Sequence, residues 1–279
     1  MESMEFTKVE GLGNDFVLVD CREGDEQALA QTLDWARAQA SGICDRRRGV
    51  GADGLLLVGP ARGDAEASMT VVNFDGSVPE MCGNGLRCVA AHLAQTPGQV
   101  LRVATGAGPL RCEIVAASPE GVIEVGVDMG PARALGESRP AAGEGRRFLD
   151  VSMGNPHAVC FVAPGEDPEA LARRLGPGVE VDPAYLPSKT NVEFAAREED
   201  EAGVWLRLWV WERGVGITEA CGTGACATAA AAVGEGLAAA DTQLRVRLPG
   251  GLLSILVPSR ADAGVFMRGP ARRVFAGVL

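Results

Sequence analysis

The chain has 279 residues, 47% of them hydrophobic and 23% charged, with a formal net charge of −11. That length allows one large domain or two ordinary ones, each with a well-buried core, and two is the better reading. The acidic balance argues against nucleic-acid binding, which depends on Lys and Arg at phosphates, and no apolar run approaches the ~18–20 residues of a membrane helix, so no membrane partner is expected.

Residues 1–10 alternate charged and apolar side chains without a basic n-region or an apolar h-region. No secretory signal is expected there, and a cytoplasmic protein follows. Alternating or β-branched runs bounded by Gly, Pro, Asn and Asp predict strands at 6–9, 16–20, 55–58, 69–74, 100–104, 110–115 and 122–127. Two helical patterns interrupt them. One spans 26–40 after Asp25; the other spans 85–94, where Leu86, Val89, Ala90 and Leu93 recur at i, i+3, i+4, i+7. The triplet Arg46-Arg47-Arg48 reads as a solvated turn before a glycine loop. Residues 130–147, rich in Gly, Pro, Ala and Arg, read as a linker or long loop. Strands resume at 149–153, 158–162, 191–195, 204–211, 244–248, 253–257 and 265–267, with helices over 168–175 and 222–235. The second of these, "GTGACATAAAAVGE", is dense in Ala and Gly and suits a buried central helix.

Two landmarks recur at nearly one offset. Asn14 in "GLGNDFVLVD" and Asn155 in "SMGNPHAVCFV" are Gly-Asn turns leading into apolar strands, 141 positions apart; Cys82 in "MCGNGLRC" and Cys221 in "ACGTGAC" lie 139 apart. The spacing suggests a duplicated domain with pseudo-twofold symmetry, residues 1–130 carrying Cys82 and 131–279 carrying Cys221. The side on which the last strand packs stays open. In such a pair the two cysteines are equivalent and could face each other across a cleft.

A Cys-Gly-x-Gly segment at a helix entry has physical consequences. Glycines let backbone N–H groups approach a ligand, first-turn N–H groups lack intrahelical partners, and the dipole favours negative charge. A carboxylate could bind there, and a thiol placed there should have a lowered pKa. Two such thiols related by symmetry suggest a base on one face of a carbon and an acid on the other, the layout for inverting a stereocentre beside a carboxylate. This scheme requires no cofactor.

Other readings are weaker. The cysteine gaps do not suit zinc knuckles and the chain has two histidines, so no metal is expected. In a reducing compartment a Cys82–Cys221 disulfide would be an oxidised by-product. Cys21, Cys44, Cys112 and Cys160 read as small buried hydrophobes, and Cys88 and Cys226 as helix packing. The G-x-G-x-x-G match at 49–54 lacks a strand before it and a helix after it, so it reads as a tight glycine turn.

Through "GLGNDF", "GADGLLL", "NFDGS…MCGNGLRC", "SMGNPHAV", "TNVEF", "WERGVGITEACGTGAC" and "RGPARRVFAG", in this order along most of the chain, the sequence resembles the diaminopimelate epimerase family. The resemblance implies an α/β fold of two pseudosymmetric domains, each an antiparallel barrel-like sheet around a central helix. It implies interconversion of LL- and meso-diaminopimelate without pyridoxal phosphate, by a homodimer. Cys82 and Cys221 fall on the family's base and acid, and its substrate contacts fall on Asn14, Asn73, Gly83, Asn84, Asn155, Asn191, Glu212, Arg213, Gly222 and Thr223. His157 and Glu212 match polar residues that tune the cysteines. Arg213 suits a distal carboxylate, and Glu212 suits a distal ammonium. Where many members carry Gln, this chain has Gly54, so a side-chain contact is missing. The alternatives are a proline or hydroxyproline racemase of the same architecture, which would not need Glu212-Arg213 and the asparagine set, and a non-catalytic thiol redox or binding protein.

Overall fold

The computed structural model describes residues 4–94 and 96–279, so residues 1–3 of the N-terminal stretch read above lie outside it. The chain divides into two compact units, one running through Val127 and taking in Gly269–Leu279, the other Asp128–Arg268. The division falls at 127/128, where the sequence suggested 130/131, and the last eleven residues belong to the first unit.

In the first unit the chain runs β1 (Glu5–Gly11), β2 (Asn14–Asp20), α1 (Glu26–Cys44), β3 (Gly54–Gly59), β4 (Ala67–Asn73), α2 (Gly83–Leu93), β5 (Val100–Thr105), β6 (Gly108–Ala117) and β7 (Val122–Asp128). Neighbouring strands are antiparallel except β2/β3 and β4/β5. Those two parallel pairs are where α1 and α2 supply the crossover that a parallel pair requires. The second unit holds β8 (Arg133–Ser138), β9 (Phe148–Ser152), β10 (Pro156–Phe161), α3 (Pro168–Glu180), β11 (Asn191–Asp200), β12 (Gly203–Glu212), β13 (Gly216–Ile217), α4 (Gly222–Gly234), β14 (Gln243–Leu248) and β15 (Gly251–Leu256). Again two pairs are parallel, β10/β11 around α3 and β12/β14 around α4. The final strand, β16 (Phe266–Val278), pairs with β15 through its first residues and with β1 through 272–278. Because β16 also neighbours β7, the first unit's eight strands close into a ring without a free edge.

Each unit has an outer and an inner helix. Strand β3, "GLLLVG", is buried along its whole length, so it reads as a continuous apolar run instead of an alternation. Leu55 and Leu57 join Leu29, Ala36 and Ala40 under α1, while Leu56 reaches the opposite face, beside Gly85 of α2. In the second unit α3 covers Ala158, Cys160, Val192 and Phe194. Residues 83–91 of α2 are buried on every side, as is most of α4, which is why α4 is so poor in large side chains.

The reading of residues 130–147 as a linker needs correcting. It contains β8 and a 3-10 turn at Ala141–Gly143. Strand β8 is an edge strand paired to β9, interrupted by a register shift near Gly136, and exposed on both faces, so it carries no period-two pattern to read.

Candidate functional site

In the first unit the site grows from the entry to α2. Cys82 is the N-cap residue, in extended conformation, and the Gly85 N–H donates to its Sγ at 3.4 Å. A Cβ on Gly85 would lie 2.8 Å from Leu56 Cδ2 and 3.5 Å from the sulfur, so the glycine lets Leu56 pack against this turn. Asn14, at the start of β2, donates from Nδ2 to Asp53 Oδ2 at 2.6 Å. Its Oδ1 accepts from Asn84 Nδ2 at 3.1 Å, with Cys82 Sγ at 4.0 Å. Asn14, Cys82, Gly83 and Asn84 thus share one corner. Asn73, at the end of β4, is tied to its own loop instead, with Nδ2 on Ser77 Oγ at 2.9 Å.

Three residues supporting this corner had no role in the sequence reading. Asp53 holds Asn14, and Arg46 bridges Asp15 and Asp53, 2.7 Å from each. The arginine triplet is a turn, as expected, but its first member is an ion-pair clamp. Lys8 is buried, 2.6 Å from Asp15, and its ammonium donates to Gly51 O. A Cβ on Gly54 would meet Val72 O at 2.6 Å, so the glycine lets β3 approach the β4 backbone closely.

In the second unit Cys221 caps α4 in the same extended conformation and is buried. Thr223 Oγ1 lies 3.7 Å from its Sγ and accepts from Asn155 Nδ2 at 3.3 Å. Asn155 Oδ1 faces His157 Nε2 at 3.0 Å, and His157 Nδ1 lies 2.7 Å from Glu193 Oε1. Glu212 accepts from Thr218 Oγ1 at 2.5 Å. Asn191 is pinned between Pro156 O and the Arg213 backbone N–H, at 2.9 and 3.0 Å, and the exposed Arg213 guanidinium donates to Ser188 O at 2.8 Å. Cys221, Gly222, Thr223, Asn155, His157 and Glu212 therefore cluster, with Asn191 joined through the β10/β11 ladder and Arg213 through Asn191.

The electrostatics correct one expectation. A helix entry should lower a thiol's pKa, yet Cys221 is pushed well up: burial dominates, Glu212 and Glu193 add to it, and the Gly224 N–H and Thr223 hydroxyl offset little. Desolvation, with the neighbouring Glu212 carboxyl, outweighs one helix turn. Burial also raises Glu212, against the pull of Thr218 and His157. The sequence missed Glu193 although the signal was present, a lone carboxylate in the otherwise apolar run "NVEFAA".

None of the remaining cysteines is in a disulfide. Burial raises Cys44 and Cys160 to about 11 and Cys112 to about 12, and Cys88 is driven up as well. Cys88 and Cys226 are buried in their helices, and Cys21 is half-buried against the α1 core.

Comparison with known proteins follows from this geometry. The family model for diaminopimelate epimerase matches residues 6–135 and 150–274. The diaminopimelate epimerase of Desulforudis audaxviator is 47% identical over 293 residues, covering 98% of each chain. That of Synechococcus elongatus is 42% identical over 295, covering 99% of this chain and 98% of its own. Among solved structures, a phenazine biosynthesis protein from Bacillus anthracis superposes with a TM-score of 0.73 at 16% identity, covering 100% of this chain and 99% of its own. A probable proline racemase from Agrobacterium radiobacter gives 0.71 at 17%, covering 98% and 92%. At such identities the solved structures share the fold.

Proposed function

Since the chain belongs to the diaminopimelate epimerase family, we propose that Cys82 and Cys221 are the acid–base pair with which it inverts the α-carbon of diaminopimelate. It is an isomerase of the pyridoxal-phosphate-independent kind, interconverting the LL and meso forms on the route to lysine and cell-wall peptide. The observation that carries the cysteine assignment is local and occurs twice: each cysteine is the N-cap residue of a buried central helix at a Cys-Gly-x-Gly turn.

An α-proton beside a carboxylate is weakly acidic, so the protein has to stabilise the enediolate charge that forms as it leaves. The first-turn N–H groups at Gly83 and Asn84, and at Gly222 and Thr223, have no intrahelical acceptor and suit that carboxylate. Cys221, with its raised pKa, rests as a thiol and delivers a proton. Cys82, whose sulfur accepts the Gly85 N–H, removes the α-proton as thiolate from the other face. In the reverse direction Cys221 must become the base, and the raised carboxyl of Glu212 beside it is suited to accept its proton. Arg213 suits the distal carboxylate, and Asn155 and Asn191 suit the polar groups beside it, whereas Asn73 would have to leave Ser77 to join them.

Replacing either Cys82 or Cys221 by Ala is expected to abolish epimerisation of LL-diaminopimelate by reduced protein. A single variant with wild-type turnover would sink the assignment. The same reading takes the protein to work in the cytoplasm as a homodimer, and a monomer by light scattering under assay conditions would remove the dimer.

A further inference from the structure

The chemistry above leaves Glu193 unused, although its side chain and that of His157 are both 0% exposed. The hydrogen bonds around them restrict where protons sit. Asn155 donates from Nδ2 to Thr223, so the Oδ1 that faces His157 can only accept, and His157 Nε2 carries a hydrogen. The 2.7 Å contact between Nδ1 and Glu193 Oε1 needs one more hydrogen, supplied by the ring or by the carboxyl.

Surroundings favour the carboxyl. Its second oxygen, Oε2, is buried and has no partner in hydrogen-bonding geometry among the described residues. A carboxylate would leave charge on that atom, whereas an acid leaves a neutral carbonyl, which costs less. Burial pushes Glu193 up, and His157 and the Ala158 N–H offset part of it. Glu212 and Cys221 also face this group, and an ionised Glu193 would raise both of them further. Gly224 makes the room: a Cβ there would lie 2.9 Å from Glu193 Oε1 and 3.1 Å from Cys221 Sγ.

We propose that Glu193, by donating to Nδ1, is a positioning residue that holds His157 as the Nε2–H tautomer, and through it keeps the Asn155 amide oriented with Nδ2 toward Thr223 beside Cys221. The inference rests on the reading of Cys221 as the reactive thiol. All these groups belong to the second unit.

The test compares Glu193→Gln, whose amide can still donate to Nδ1, with Glu193→Leu, which cannot. We expect E193L to lose about tenfold or more in kcat, and E193Q to stay within about threefold of wild type, KM moving little in either. With two histidines in the chain, heteronuclear NMR reads the tautomer directly, His92→Gln providing the assignment. Wild type and E193Q should carry hydrogen on Nε2 alone, and E193L should lose that preference. The proposal is overturned if wild-type His157 carries a hydrogen on Nδ1, whether or not Nε2 carries one too, if E193L keeps wild-type kcat, or if E193Q falls as far as E193L. Should E193L not fold, the wild-type tautomer and E193Q decide. A wild type unable to epimerise would overturn the site reading, while the NMR still decides the tautomer.

Discussion

Asn14 gives its Nδ2 edge to Asp53 Oδ2 at 2.6 Å, which leaves the Oδ1 edge turned toward Asn84 and Cys82. A carboxylate accepts and cannot donate, so Asp53 dictates which end of the amide faces the thiol. Asp53→Ala is expected to free the amide and lower kcat/KM by about tenfold, with melting temperature changed little because Asp53 is half-exposed. Steady-state kinetics with unaltered kcat/KM would show that Asn14 needs no such anchor.

Two-base chemistry makes a labelling prediction. In deuterated water the proton returned to the α-carbon comes from the second thiol, which exchanges with solvent, so product should carry deuterium from the first turnover. Mass spectrometry of product at low conversion checks this. Unlabelled product would require internal return of the same proton and contradict the pair.

Gly224 and Gly85 occupy matching turns but have different tolerances. A methyl on Gly224 would press on Cys221 Sγ and Glu193 Oε1, both held in a buried cluster, whereas one on Gly85 meets the end of the Leu56 side chain. Gly224→Ala is expected to destabilise by about 1–3 kcal/mol and to lower kcat by about a hundredfold or more. Gly85→Ala should be milder on both counts. Thermal melts and kinetics of the two variants check the order.

The pH profile follows from the sign of the Cys221 shift. Because its pKa is raised, the thiol keeps its proton to higher pH than an ordinary cysteine, and the alkaline fall in kcat/KM should lie above the ordinary thiol range. Glu212→Gln removes one of the neighbouring charges that raise it, so in that variant the alkaline limb should move toward lower pH, on top of a reduced maximum. A limb that stays in place would show that Glu212 does not act on this thiol.

The four α-helices among the described residues were each expected from the sequence, the second from its apolar period and the fourth from its Ala and Gly. Asp25 caps α1 and Asp167 caps α3, and the observed ends differ from those predicted by a few residues. The duplicated order of elements also appears, with each cysteine at the entry to a central helix between a strand pair and its crossover partner. Strand β8 was hidden because an exposed edge strand has no buried face to leave a pattern. Arg46 and Asp53, seven positions apart, looked like a loop's charge and a turn residue until the fold closed them into an ion pair.

The amino-acid sequence by itself determined most of the elements, the repeat and the two Cys-Gly-x-Gly turns, because backbone propensity, apolar period and glycine spacing are local properties of the chain. Tertiary structure alone decided that Cys221 has a raised pKa, that Glu193 lies behind His157, and that Asp53 turns the amide of Asn14. Burial and charge depend on what distant segments bring within a few ångströms, and for a sulfur surrounded by carboxyls in a dry interior those terms outweigh the helix end that the sequence displays.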